Sequence, residues 1–231
     1  MEKKKESPLG SLLVSIVIPA IILSKFSTEE YLGILPGFLV ALSLPFGYAI
    51  YNLFVRKETG FIAIIGFVSI FLTGIIGVFE FPTEYLAVKE AAVPLLIGVA
   101  VIVSLKTPYP LVKKLLFNEE LLDIKLIDEK LQENYNAPKL ENVLTKATFM
   151  VAGSFLLSAF LNFFLTKYIV VSPAGTAQFN EELGTLTAIS YPAIALPSTA
   201  VMFVALYYIF KQITKLTGLS FEEIMNDESG A

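Results

Sequence analysis

Long uncharged, apolar stretches alternate with short charged ones along the 231-residue chain. The uncharged runs cover 7–24, 31–55, 60–79, 91–105, 147–166 and 183–210. About 20 apolar residues carry a helix across a bilayer. Five of the six runs reach or approach that length, and the fourth does so only when Lys89 and Glu90 are counted into it. The pattern predicts spans at 9–26, 33–54, 60–79, 85–106, 147–167 and 190–211. The expected fold is an all-α polytopic membrane helix bundle. It has six transmembrane helices plus short interfacial or cytoplasmic helices.

Residues 111–138 break the pattern, mixing Leu, Ile and Phe with Lys, Glu and Asp. They predict short helices at 111–117 and about 119–134, the second starting at Asn118 before Glu119 and Glu120. Such a segment reads either as an ordered connector against the membrane surface or as a partner-docking element. The loop 168–189, with Glu181 and Glu182, has room for a partial helix or a re-entrant piece. Gly218 ends the last span, and Ser220 with Glu223 has capping-box spacing for a final short helix. Ser229 to Ala231 is expected to fray. The predicted organisation is a four-span part at 1–107, a cytoplasmic amphipathic connector at 108–142, a two-span part at 143–218 and a tail at 219–231.

Composition sharpens this reading. Charged residues make up 16% of the chain, against about 25% in soluble domains, and the mean hydropathy is +0.70. Cysteine, histidine and tryptophan are absent, which removes disulfides, thiol chemistry and Cys- or His-based zinc sites. Tyrosine must then supply much of the aromatic belt. Tyr31, Tyr85, Tyr109, Tyr168 and Tyr191 lie near predicted span ends. The first run follows Lys3, Lys4 and Lys5 like a signal peptide, but Leu23-Ser24-Lys25-Phe26 holds no small-x-small cleavage site, so a retained span is expected. With the N-terminus inside, 14 of the 17 basic residues fall on the inner side. Lys25 and Lys167 fall outside, and Lys89 falls within a span. The positive-inside rule places both termini in the cytoplasm.

Charges inside a span are costly and point to purpose. Lys89 sits about 9 Å along its helix, at ~1.5 Å per residue from Thr83, and its long stem can snorkel to the headgroups. Glu90 is too short for that and needs a partner or a proton. Neighbouring positions point about 100° apart on a helix, so the two are expected to have separate partners. Asn162, a tyrosine hydroxyl or Lys25 are the candidates for Glu90. Span five carries Ser154, Ser158, Asn162 and Thr166 at intervals of four, either as glue between helices or as the wall of a hydrated path. Span three carries Gly66, Ser69, Thr73 and Gly77, with Gly74 beside them, at a similar pitch; close packing and pore lining both fit. Pro19, Pro45, Pro94, Pro192 and Pro197 interrupt four spans. Each removes a backbone hydrogen bond and frees a carbonyl. No phosphate loop, metal-ligand cluster or nucleophile triad is visible, so neither an enzyme nor a cofactor is expected.

Several stretches carry a family likeness. These are Leu44-Pro45-Phe46-Gly47-Tyr48 with Arg56-Lys57, then Leu72-Thr73-Gly74-Ile75-Ile76-Gly77, then Val88-Lys89-Glu90-Ala91-Ala92-Val93-Pro94-Leu95-Leu96-Ile97-Gly98. Ser104-Leu105-Lys106-Thr107, Ser190-Tyr191-Pro192 and Leu196-Pro197-Ser198 continue it. Together they resemble the bacterial intracellular septation protein A-like membrane proteins, over most of the chain and most specifically at Lys-Glu-Ala-x-x-Pro. The resemblance implies a small multi-pass protein of the bacterial inner membrane, linked by name to cell division and envelope upkeep. Some relatives carry a loose transporter label. No catalytic set carries over; only Lys89, Glu90 and Pro94 match a motif. Two functions follow as expectations. One is a non-catalytic envelope protein whose partners are the bilayer, anionic lipids at the cytoplasmic face, and a second copy or another envelope protein, with no nucleic acid. The other is a small ion- or proton-coupled transporter or channel around Glu90, Lys89 and Asn162.

Overall fold

The computed structural model describes residues 13–55, 61–108, 110–116 and 122–225. Among these the chain is helical, and its one extended contact is an isolated antiparallel bridge between Leu122 and Met225. The helices are α1 (Leu13–Phe26), α2 (Ile34–Ile50), α3 (Phe61–Val78), α4 (Glu84–Ser104), α5 (Leu111–Leu116), α6 (Ile124–Glu133), α7 (Ala137–Ile169), α8 (Ala177–Thr217) and α9 (Phe221–Ile224). Three of them, α4, α7 and α8, are long and apolar enough to cross a membrane. Three shorter apolar helices, Leu13–Phe26, Ile34–Ile50 and Phe67–Val78, lie in the first three predicted spans. Only 22%, 28% and 17% of the most apolar windows of α4, α7 and α8 are buried within the chain. Apolar surface left uncovered to that extent belongs against lipid rather than water.

Two of the prolines fall where the helices depart from α geometry. Pro19 lies between two π turns, Leu13–Val17 and Ile22–Phe26, and Pro192 lies within a third, Tyr191–Ala195. A proline cannot donate to the carbonyl four residues back, and a wider turn absorbs that loss. A fourth π turn, Tyr51–Val55, continues α2 six residues after Pro45. Pro94 sits inside α4, and Pro197 is the second residue of the α segment Leu196–Thr217 that follows the π turn of α8.

Several elements differ from expectation. The loop 168–189 carries the partial helix it had room for, but as one helix with the sixth predicted span: α8 begins at Ala177 and runs 41 residues. Thr176 starts it, its hydroxyl accepting the Phe179 N–H at 3.1 Å. The preceding Gly175 takes φ +84°, and a Cβ there would lie 2.7 Å from the Glu80 carboxylate. Tyr191 therefore lies within a continuous helix rather than at a span end. α7 starts ten residues before the predicted fifth span. Its first turns are amphipathic, burying Leu140, Val143, Leu144 and Ala147 while Lys139, Glu141 and Lys146 face outward.

α6 begins at Ile124, with Asp123 accepting the Leu126 N–H at 3.0 Å; the expected start at Asn118, with Glu119 and Glu120, lies outside the described residues. So do Tyr109, the basic clusters Lys3–Lys5 and Arg56–Lys57, the frayed end Ser229–Ala231, and the surroundings of Gly66. Gly218 ends α8 at φ +80°, the positive φ that favours glycine after a helix. Ser220 and Glu223 form the expected capping box.

The chain divides into two compact units, Met1–Val93 with Ala159–Ala195, and Pro94–Ser158 with Leu196–Ala231. The divisions fall inside α4, α7 and α8, so each long helix contributes to both. The first unit packs Leu23, Phe38, Ala41, Leu86, Phe179 and Leu183 into its core. The second packs Ile127 and Leu131 of α6 with Leu140 and Leu144 of α7, Ile209 and Ile213 of α8, and Ile224. The apolar face of α6 is thus occupied within its own unit. Asn136 closes the same region, its amide donating to the Leu216 carbonyl at 2.9 Å.

Candidate functional site

Lys89 and Glu90 lie in the second turn of α4. The Lys89 side chain is only 9% exposed and its ammonium turns inward rather than snorkelling. Nζ lies 2.7 Å from Thr73 Oγ1 and 3.1 Å from Ser69 Oγ, and donates at 3.3 Å to the Ser69 carbonyl. The Thr73 hydroxyl itself donates to the Ser69 carbonyl at 3.1 Å, which leaves its lone pairs for the lysine. Small residues on one face of α3 thus present three oxygens to a single ammonium. Contacts with this oxygen set remove the need to stretch to the headgroups.

The expectation of separate partners is overturned: Lys89 Nζ lies 2.7 Å from Glu90 Oε1. The 100° offset holds at Cβ, but four methylenes let the ammonium swing back across it. Glu90 is the more open partner, at 30%. The pair is charge-assisted and partly buried, where it is screened less than at a surface.

Both residues line a cavity of about 340 Å³ within the first unit. α1 contributes Ser15, Pro19 and Leu23, and α2 with its π turn contributes Leu42, Pro45, Tyr48, Ala49 and Asn52. α3 adds Phe67, Ser69, Ile70 and Thr73, and α8 adds Leu183 and Thr187. The wall is therefore mixed, with hydroxyls, an amide and one ion pair set among apolar side chains. The Asn52 side-chain oxygen Oδ1 is buried without a hydrogen-bond partner in the structure, an acceptor left at the cavity wall. Pro19 and Pro45 stand in the lining itself, as broken helices do around midplane sites.

The span-five stripe divides differently. Asn162 is half-buried in the first unit but is not part of this lining among the described residues. Ser154 and Ser158 belong to the second unit. Ser154 is 2% exposed and donates its hydroxyl to the Val151 carbonyl of its own helix at 2.7 Å. The span-three stripe does two jobs, since Ser69 and Thr73 hold Lys89 while Gly77 admits the Phe38 ring. Sequence reasoning missed Asn52, Thr187 and Ser15; a lone polar residue in an apolar run was the available signal.

Two further features frame this unit. Glu182 accepts from the Val171 N–H at 3.0 Å, the Ser172 N–H at 2.9 Å and the Ser172 hydroxyl at 2.8 Å, tying the segment before α8 to its second turn. The fully buried Asn180 amide donates to Ser27 Oγ at 2.6 Å and to the Ile34 carbonyl at 2.9 Å. Among the described residues no group of acidic side chains is arranged to hold a metal ion. No family model matches the chain, and no curated protein or solved structure shows significant similarity to it.

Proposed function

We propose that the chain is a non-catalytic, multi-pass membrane protein of the septation protein A-like type whose first-unit cavity holds a small polar solute and couples its passage to a proton on Glu90. The six apolar helices then serve as six spans, with both termini in the cytoplasm of a bacterial cell. One observation carries this reading: an intramembrane ion pair, Lys89 to Glu90, on the wall of a cavity of about 340 Å³. A purely structural pair would be enclosed by packing, whereas this one borders space large enough for a solute.

The chain contains no cysteine, so single thiols can be introduced on a silent background. In membranes, Thr187→Cys and Ala49→Cys should react readily with a hydrophilic methanethiosulfonate, and Phe179→Cys in the core should not. Equal protection at all three positions would count against a wet cavity and sink the transport reading.

A second reading keeps the protein as an envelope component that binds lipid. It is favoured by a cleft of about 540 Å³ in the second unit, lined by Lys113, Lys114, Thr145 and Glu141 together with Leu105, Leu144, Pro108 and Pro110. Lysines beside an apolar wall at the end of a membrane helix suit an anionic phospholipid, headgroup on the lysines and chain along the apolar side.

A further inference from the structure

The charge arrangement at the cavity narrows what the solute can be. It rests on the transport reading above and goes further by naming the solute's charge and its stoichiometry. The Lys89 ammonium carries three donors and meets Thr73 Oγ1, Ser69 Oγ and the Ser69 carbonyl besides Glu90. Those three oxygens are uncharged and stay in place whatever happens at Glu90. An acceptor set of this kind suits an ammonium and gives a neutral amine nothing to accept from at the carbonyl. Glu90 has the opposite character: it is the more exposed partner, and its carboxylate meets the lysine from the cavity wall. Of the other titratable groups on that wall, Tyr48 stands on α2 and Lys89 beside Glu90 on α4; α1, α3 and α8 contribute none among the described residues.

A low-dielectric cavity tolerates little net charge, because an unpaired buried ion forfeits its hydration without return. As it stands the site sums to zero. When Glu90 takes a proton on its carboxylate oxygen, Lys89 keeps its charge and the site becomes +1. A monoanion then restores neutrality by replacing the carboxylate as partner of the ammonium. A cation does the reverse. It would have to displace Lys89 from Glu90 and force the ammonium to lose a proton that Ser69 and Thr73 hold.

We infer that the cavity binds a small organic monoanion together with one proton, the anion on Lys89 and the proton on Glu90, so that loading is electroneutral. The apolar part of the wall, Leu42, Ile70, Phe67 and Leu183, suits a carboxylate with a short carbon body. The volume of about 340 Å³ is ample for it.

The test uses the full chain in lipid nanodiscs with four small probes: lactate, its neutral amide lactamide, zwitterionic alanine and cationic ethanolamine. Lactate affinity should rise about tenfold for each unit the pH falls while Glu90 is ionised, the slope expected for one linked proton. In weakly buffered solution, about one proton should leave solution per lactate bound. Glu90→Gln, which mimics the protonated form, should bind lactate without pH dependence, and Lys89→Met should lose it. If Glu90→Gln fails to fold, proton uptake by the unaltered protein still decides. A flat pH profile, absent proton uptake, no lactate binding at low pH, or equal binding of lactamide, alanine or ethanolamine each overturns the inference. If the introduced thiols are reactive and lactamide or ethanolamine binds instead, the cavity reading stands and only the anion assignment falls. Protected thiols remove both.

Discussion

Asn180 and Ser27 are 153 residues apart in sequence and 2.6 Å apart in space. Both are almost fully buried, and both also reach the Ile34 carbonyl. Removing one partner of a buried hydrogen bond leaves the other to bear its desolvation, at about 1–3 kcal/mol. Asn180→Leu should therefore lower stability by that amount in thermal or denaturant unfolding. Ser27→Ala alone should cost less, since Asn180 keeps the carbonyl. No local pattern announces this contact, because an asparagine just before Glu181 and Glu182, in the first turn of α8, reads as a loop residue. Lys89 and Glu90 were legible for the opposite reason, as charges inside an otherwise apolar run. Their mutual bond was not, since a rule about Cβ directions does not bound the reach of a lysine.

At the scale of elements, the capping box of α9 offers a pH handle outside the membrane helices. The Ser220 backbone N–H donates to Glu223 Oε2 at 2.7 Å, and that bond, followed by the Ser220 hydroxyl, holds the Glu223 carboxyl below its ordinary value. A carboxyl depressed in the folded state stabilises α9 fully above its unfolded value. The contribution disappears as pH falls through the folded one. The protection of the Ile224 amide relative to its intrinsic exchange rate should fall on acidification, and Glu223→Gln should flatten that dependence. An unchanged profile in the variant would place the effect elsewhere. Helix starts with local chemistry, such as Ser220 with Glu223, could be read from sequence. The first turns of α7 and α8 could not, because charged residues on one face disguised helices whose other face is buried. Hydropathy marks where lipid begins and not where a helix begins.

Across the whole molecule, the six apolar helices follow the six uncharged runs, and the all-helical build was legible from their length alone. The grouping of those helices was not. Each unit gathers segments distant in sequence, and continuous helices pass from one to the other, so no composition shift marks the division. The same scale suits a test of lipid binding. An anionic surface is worth about 1 kcal/mol per nearby lysine. Phosphatidylglycerol or cardiolipin, added to the purified full chain, should raise its thermal stability more than phosphatidylcholine does. Lys113→Gln with Lys114→Gln should remove much of that difference. A shift that survives both substitutions would rule out the cleft as the lipid site.

The reach of Lys89 back to Ser69, 20 residues earlier, bears on how the protein is made. A bare lysine at the centre of a membrane helix costs about 2.5–3.5 kcal/mol to insert; Lys89, in the second turn, bears part of that cost, and α4 carries a glutamate as well. The ribosome delivers α3 first. On the six-span reading proposed above, its hydroxyls and its carbonyl are already in the lipid, or at its threshold, when the charged turn of α4 emerges. On that reading the two helices enter as a hairpin, and the direction of synthesis sets out the acceptors before the charge arrives.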